Sequence, residues 1–136
     1  DMDRAVRFWT ATLGFEARSV TPRAGDWQAR VTGVPGEELN VAHLYGYGAH
    51  IEFIQYASGA SPAPRISPSM ACAAHICLEV SGIEETWKRL IAAGASAQGE
   101  VALVDNGPVR GLKAGYLRDP EGILIELIEV PELPPP

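Results

Sequence analysis

The chain has 136 residues, a net charge of −6 and a pI near 5.0, and 46% of its residues are hydrophobic against 21% charged. That is enough apolar content for one packed domain and wrong for a disordered segment. The acidic balance argues against a nucleic-acid or anionic-membrane partner. No apolar run approaches the roughly 20 residues of a membrane span.

Asp1 is placed to N-cap a first helix in which Met2, Ala5, Val6, Trp9 and Leu13 recur at helical spacing before Gly14 stops it. Phe15 to Val20 reads as a strand, Thr21 to Asp26 as a Pro/Gly turn, and Gln28 to Thr32 as a second short strand. Val34-Pro35-Gly36-Glu37 is a turn, and Leu39–Tyr45 with His50–Tyr56 form a hairpin around Gly46 to Ala49. Ala57 to Met70, rich in Pro, Ser and Gly and without periodicity, reads as a linker.

Ala74 to Val80 is then a strand, and Ser81-Gly82-Ile83-Glu84 has the pattern of a capping box. It opens a helix with the stripe Ile83, Thr86, Trp87, Leu90 and Ile91, ended by Gly94. Val101–Val104, Leu112–Arg118 and Ile123–Val130 are the remaining strands, and the Pro-rich tail 131–136 cannot join a sheet. Cys72 and Cys77, five apart on a segment read as extended, are expected to be free thiols in a reducing, cytoplasmic compartment. No segment reads as a signal peptide.

The two halves repeat each other. Ile51-Glu52-Phe53-Ile54-Gln55-Tyr56 returns as Ile125-Glu126-Leu127-Ile128-Glu129-Val130, and the helix ending at Leu13-Gly14 returns as the one ending at Ala93-Gly94. The expected order is strand, helix, three strands, twice over, in an α+β fold of two related modules. One module covers about residues 1–57, a connection about 58–72, and the second module about 73–130. The first strand of the first module would lie upstream of Asp1. The sequence starts at a helix cap and without Met, so residues before Asp1 are expected.

Strand alternation selects the polar residues that matter. His75, Cys77 and Glu79 share one face of their strand, Leu124, Glu126 and Ile128 share one face of theirs, and Glu52 lies with His50, Ile54 and Tyr56. If the apolar faces pack under the helices, then Glu52, His75 and Glu126 point into a shared cleft. An ionised carboxylate among Leu124, Ile125, Leu127 and Ile128 is costly unless paired or bound to a metal; an exposed alternating strand would carry it with no function at all. Two acids and an imidazole suit divalent Zn, Ni, Co, Mn or Fe without choosing among them. His50, on the face of Glu52, reads as a rim residue or as a substitute ligand, and His43 on the neighbouring strand likewise; Trp9 and Trp87 read as core, and Trp27 as either core or substrate wall. Cys77 has no His–Asp pair beside it and is not read as a nucleophile.

These residues resemble the vicinal oxygen chelate superfamily (glyoxalase, bleomycin resistance protein, extradiol dioxygenase). The resemblance rests on the helix from Met2-Asp3-Arg4-Ala5 to Leu13-Gly14-Phe15, on Ala74-His75-Ile76, and on Arg118-Asp119-Pro120-Glu121-Gly122-Ile123-Leu124-Ile125-Glu126-Leu127. It implies paired βαβββ modules around a cleft, with one metal ligand from each of four strands. Carried over, the ligands are Glu52, His75 and Glu126, with a fourth upstream of Asp1. A Glu at position 52 resembles glyoxalase I, in which the metal stabilises an enediolate and a ligand carboxylate, Glu126 or Glu52, is also the base.

The expected activity is therefore metal-assisted isomerisation or lyase chemistry by proton abstraction next to a carbonyl, of glyoxalase I or epimerase type. Its expected substrate is a small molecule with neighbouring oxygens, and a homodimer is the expected assembly. An iron-dependent extradiol-type dioxygenase and a metal-free binding or resistance protein remain the alternatives.

Overall fold

The computed structural model describes residues 1–36, 38–59 and 65–131. Residues 60–64 of the expected linker, Glu37 of the expected turn and residues 132–136 of the Pro-rich tail lie outside them. The chain divides into two compact units, Asp1–Pro64 and Arg65–Pro136. Among the described residues no helix is long and apolar enough to cross a membrane.

The first unit opens with helix α1 (Met2–Leu13), capped by the Asp1 side chain, which accepts from the Arg4 amide at 2.9 Å, and ended by Gly14 in the left-handed conformation. Strands β1 (Glu16–Arg23), β2 (Leu39–Gly46) and β3 (Ala49–Tyr56) form an antiparallel sheet in the order β1-β2-β3. The β2–β3 turn is the two-residue pair Tyr47-Gly48, both at positive φ (53° and 73°), the geometry that matches strand twist. Trp9, fully buried, meets Phe15 and Phe53 edge-on at 5.3 and 5.5 Å, and the Tyr47 hydroxyl ties the turn to the Leu13 carbonyl at 2.6 Å. Gly46 is glycine because a Cβ there would stand 2.8 Å from the Phe15 ring. Val6, assigned to the buried stripe from spacing, is half-exposed, and Phe8 takes its place in the core.

Two expectations fail between β1 and β2. The strand does not stop at Val20 for a turn: it runs through Thr21, Pro22 and Arg23, paired with Val41, Asn40 and Leu39. Pro22 is tolerated because β1 is an edge strand, where a missing N–H breaks no second ladder. The residues read as a second strand are instead helix α2 (Asp26–Thr32), with Asp26 in its first turn, Arg30 in its last and Gly33 as its left-handed stop. Gln28, buried, fastens α2 by donating to the Arg23 carbonyl at 2.9 Å. Trp27 is 53% exposed on this helix and is not core.

The second unit begins with β4 (Ile76–Glu79) and α3 (Ile83–Ala92), followed by β5 (Ser96–Ala97), β6 (Ala102–Leu103), β7 (Lys113–Arg118) and β8 (Leu124–Glu129). The sheet order is β4-β8-β7-β5, with β4 parallel to β8 and β6 also on β7. Ile83 and Leu90 of α3 are fully buried, as are Leu117, Ile125 and Leu127 of the sheet, whereas Ile91 is exposed. Gly115 makes room for Trp87, since a Cβ there would lie 2.9 Å from the Trp87 ring. The short strand β5 escaped the sequence reading because two residues carry no periodicity. Cys72 and Cys77 are free thiols, but Cys72 sits in a turn at φ 65° rather than on an extended segment.

The capping box is also corrected. Residue Gly82 is the N-cap, at φ 69°, with no side-chain cap of its own. Its N–H donates instead to Glu129 Oε1 from the end of β8, and the Glu84 carboxylate is taken by Lys113 Nζ at 2.6 Å. Lys113 also approaches Glu129 Oε2 at 3.3 Å, so one ammonium links α3 to both β7 and β8.

Gly115→Ala is expected to cost about 1–3 kcal/mol by overpacking against Trp87, read by denaturant unfolding. The Glu84–Lys113 pair carries a pH signature. Lys113 holds the Glu84 carboxyl below the usual carboxylate range, and Glu84 holds the Lys113 ammonium above its own. The lowered acid contributes above its unfolded pKa and loses that contribution as pH falls through the folded value. The raised base contributes below its unfolded pKa and loses it as pH rises through the folded value. A Glu84→Gln/Lys113→Met double-mutant cycle should show coupling at neutral pH that vanishes in acid and in strong alkali, and that shrinks with salt because both groups are exposed.

Candidate functional site

In each unit the helix takes one face of the sheet, and the acid singled out in the sequence lies on the other. In the first unit Phe53, on the α1 side of β3, meets Trp9, and alternation turns Glu52 to the opposite face. In the second unit Leu117, Ile125 and Leu127 share a face with Gly115, which receives Trp87 from α3. Glu126 therefore faces away from α3.

Register brings the neighbours of Glu126 together. Cys77 of β4 is opposite it on one side and Tyr116 of β7 on the other. His75, just ahead of β4, places Nε2 3.1 Å from Glu126 Oε2 and 3.3 Å from the Tyr116 hydroxyl, with the two rings packed edge to face at 5.1 Å. The Glu126 side chain is 19% exposed, screened yet reachable.

Partial loss of water, with the hydrogen bond to Glu126 and the charges of Glu126 and Glu79, pushes the Cys77 thiol up to about 11, although the residue as a whole is exposed. Burial also raises Tyr116, again with the Glu126 charge and hydrogen bond behind it. Both groups thus keep their protons at neutral pH and present them to one carboxylate. A thiol held neutral is a poor nucleophile and a poor metal ligand, in keeping with the sequence reading of Cys77.

The loop before β8 is built to hold this strand in place. Asp119, buried, accepts the amides of Glu121 and Ile123 at 2.9 and 2.8 Å and closes the turn before β8, with Gly122 at φ 95°. Arg118, also buried, donates to Gln98 Oε1, the Gly122 carbonyl and the Ile66 carbonyl.

Glu52 has a different company. Its Oε1 lies 3.1 Å from His43 Nδ1 and 4.0 Å from His50 Nε2, and the two imidazoles are 2.9 Å apart. The histidines read as rim residues are therefore its immediate partners. Tyr116 was missed altogether; its signal was available, since it alternates with Leu117 on a strand and a polar ring there needs a reason. Of the three expected ligands, the structure pairs His75 with Glu126 in the second unit, and Glu52 pairs with histidines within the first.

Donor chemistry at these positions fits a divalent ion. His75 Nε2 and Glu126 Oε2 at 3.1 Å stand as far apart as two donors sharing an ion with bonds of about 2.0–2.2 Å. Imidazole and carboxylate are ligands for Zn, Fe, Co, Ni and Mn alike.

Comparison with known proteins agrees with this architecture. A sequence model of the Glyoxalase/Bleomycin resistance protein/Dioxygenase superfamily matches residues 1–127. A 2-epi-5-epi-valiolone epimerase from an Actinomyces species is 28% identical, over 96% of this chain and 74% of that protein. The crystal structure of a glyoxalase family protein from Bacillus cereus superposes with a TM-score of 0.79 at 25% identity, covering 95% of this chain and 86% of that one. A genomically encoded fosfomycin resistance protein from Listeria monocytogenes, solved with Mn(II) and sulfate, shares the fold with a TM-score of 0.61 at 15% identity, over 95% of this chain and 83% of that one. With its repeated helix-and-sheet units and its lone strand acids, the chain belongs to the Glyoxalase/Bleomycin resistance protein/Dioxygenase superfamily.

Proposed function

We propose that the protein is a metal-dependent isomerase or epimerase that removes a proton from the carbon next to a carbonyl, with Glu126 as the base. The observation that carries this reading is the setting of Glu126: one carboxylate, 3.1 Å from an imidazole, between a thiol and a phenol that both stay protonated. Such a group has donors to orient it and sits within reach of a substrate proton. The similarity to an epimerase over nearly the whole chain supports the same class.

His75 and Glu126 are the residues of the second unit that would hold a divalent ion, and Glu52 is a further ligand on sequence grounds alone. The ion supplies Lewis-acid polarisation of the substrate's carbonyl oxygen, which makes the adjacent C–H acidic. The protein's own residues do the rest. Tyr116 and Cys77 donate toward Glu126 and hold its carboxylate in one orientation. The Glu126 carboxylate accepts the proton and returns it to the neighbouring carbon in an isomerisation; in an epimerisation the same carbon takes a proton on its opposite face from a second acid, and Glu126 gives its own proton to solvent. The substrate is a small molecule with neighbouring oxygens, and the reaction needs neither dioxygen nor a redox change.

A panel of hemithioacetals, 2-methyl-acyl thioesters, 2-epi-5-epi-valiolone and catechols, assayed with and without oxygen, tests the reading. Turnover of a carbonyl substrate is expected to proceed anaerobically and with several divalent ions. Glu126→Gln should lower kcat by about 10²–10⁴-fold, the usual worth of a positioned base. Glu52→Gln should be milder, because an amide oxygen can stand in for a carboxylate ligand. Oxygen-dependent ring opening of a catechol, indifferent to Glu52→Ala, would overturn the isomerase reading in favour of a dioxygenase.

A further inference from the structure

The face of the first unit's sheet opposite α1 carries a row of rings and one acid in register. Cross-strand pairing sets His43 against Glu52 and Tyr45 against His50. His50 lies flat on Tyr45, with ring centres 4.4 Å apart and planes within 2°, and points its Nε2 at His43 Nδ1 2.9 Å away, the two imidazole centres being 5.2 Å apart. Arg18, at the bulge in β1, covers the Tyr45 ring at 4.4 Å. The two imidazoles are thus held by packing, with His43 Nδ1, His50 Nε2 and a Glu52 oxygen all within 4.8 Å of one another.

Hydrogen bonding alone does not account for this arrangement. A ring nitrogen carries one hydrogen or one lone pair, never both. His43 Nδ1 has two neighbours at hydrogen-bond distance, His50 Nε2 at 2.9 Å and Glu52 Oε1 at 3.1 Å. Whichever tautomer His43 takes, one of these contacts lacks a full hydrogen bond. A cation serves all three atoms. In an octahedral site with bonds of about 2.0–2.1 Å, donors stand about 2.9 Å apart when cis and about 4.1 Å when trans, whereas a tetrahedral site spaces every pair about 3.4 Å apart. The observed separations of 2.9, 3.1 and 4.0 Å fall within the octahedral interval.

We propose that His43, His50 and Glu52 form a divalent transition-metal site contained within the β2–β3 hairpin. Two imidazoles and one carboxylate are a donor set for Zn, Fe, Co or Ni. Three protein ligands leave positions open for water or a small oxygen ligand, the arrangement of reactive rather than purely structural metal sites. Side-chain exposures of 21%, 40% and 46% for His43, His50 and Glu52 leave the site accessible from solvent. The site uses neither His75 nor Glu126. It shares Glu52 with the reading above, through the oxygen Oε1 that faces the histidines.

The test is titration of the metal-free full chain with Co(II), read by visible absorption, with Zn(II) competition for affinity. A His75→Ala/Glu126→Gln variant should keep a Co(II) site. A His43→Ala/His50→Ala variant should bind at that site at least about a hundredfold more weakly, beyond the loss that follows removal of an outer partner. Zn(II) added to the wild-type chain should move the side-chain ¹⁵N resonances of both His43 and His50, a readout that holds even if the double variant fails to fold. No Co(II) binding by the wild type, or unmoved His43 and His50 resonances, would overturn the proposal. So would binding abolished by His75→Ala/Glu126→Gln and untouched by His43→Ala/His50→Ala, an outcome that leaves the proposed reaction standing.

Discussion

A strand has two faces, and a helix laid across a sheet takes one of them. In the first unit Trp9 of α1 claims the Phe53 side of β3; in the second, Trp87, Ile83 and Leu90 of α3 pack over a sheet whose Gly115 leaves space for the indole. Because side chains alternate strictly, the neighbours Glu52 and Glu126 have no choice but the opposite face. Each fully buried Leu or Ile under α3 contributes about 1.5–3 kcal/mol to keeping that choice. Slipping the register by one residue would bury the acids and expose Leu127 and Phe53 together.

The second consequence is electrostatic. An acid on a half-covered strand must be partnered, and in both units the partner is imidazole: His75 for Glu126, His43 for Glu52. The neighbours differ in kind. Around Glu126 stand two weak acids whose protons are held by partial loss of water and by its own charge, a setting suited to moving a proton. Around Glu52 stand two imidazoles whose ring nitrogens meet at 2.9 Å, the donor set of the proposed cation site.

Much of this was legible from the residues. The first helix, its Asp1 cap and Gly14 stop, the hairpin around Tyr47-Gly48, and the turn before Glu126 all follow from local chemistry that tertiary packing does not override. The faces of Glu52 and Glu126 followed from period-two alternation. What was not legible depended on partners distant in sequence. Pro22 could continue a strand only because β1 is at the sheet edge, and α2, where Gln28 to Thr32 lie, is fastened by the Gln28 contact to the Arg23 carbonyl. The Ser81 capping pattern failed because Glu129, 47 residues away, already holds the Gly82 amide. His43, His50 and Tyr116 were undervalued for the same reason: their significance lies in cross-strand register, which no single strand reveals.

The central claim is that Glu126 exchanges a carbon-bound proton, and hydrogen exchange from solvent reads it directly. Incubation of a turned-over carbonyl substrate in D₂O without oxygen, followed by NMR of substrate and product, should show deuterium at the carbon next to the carbonyl. That incorporation should be lost in Glu126→Gln. Exchange that persists undiminished in Glu126→Gln would contradict the account, as would turnover that requires dioxygen.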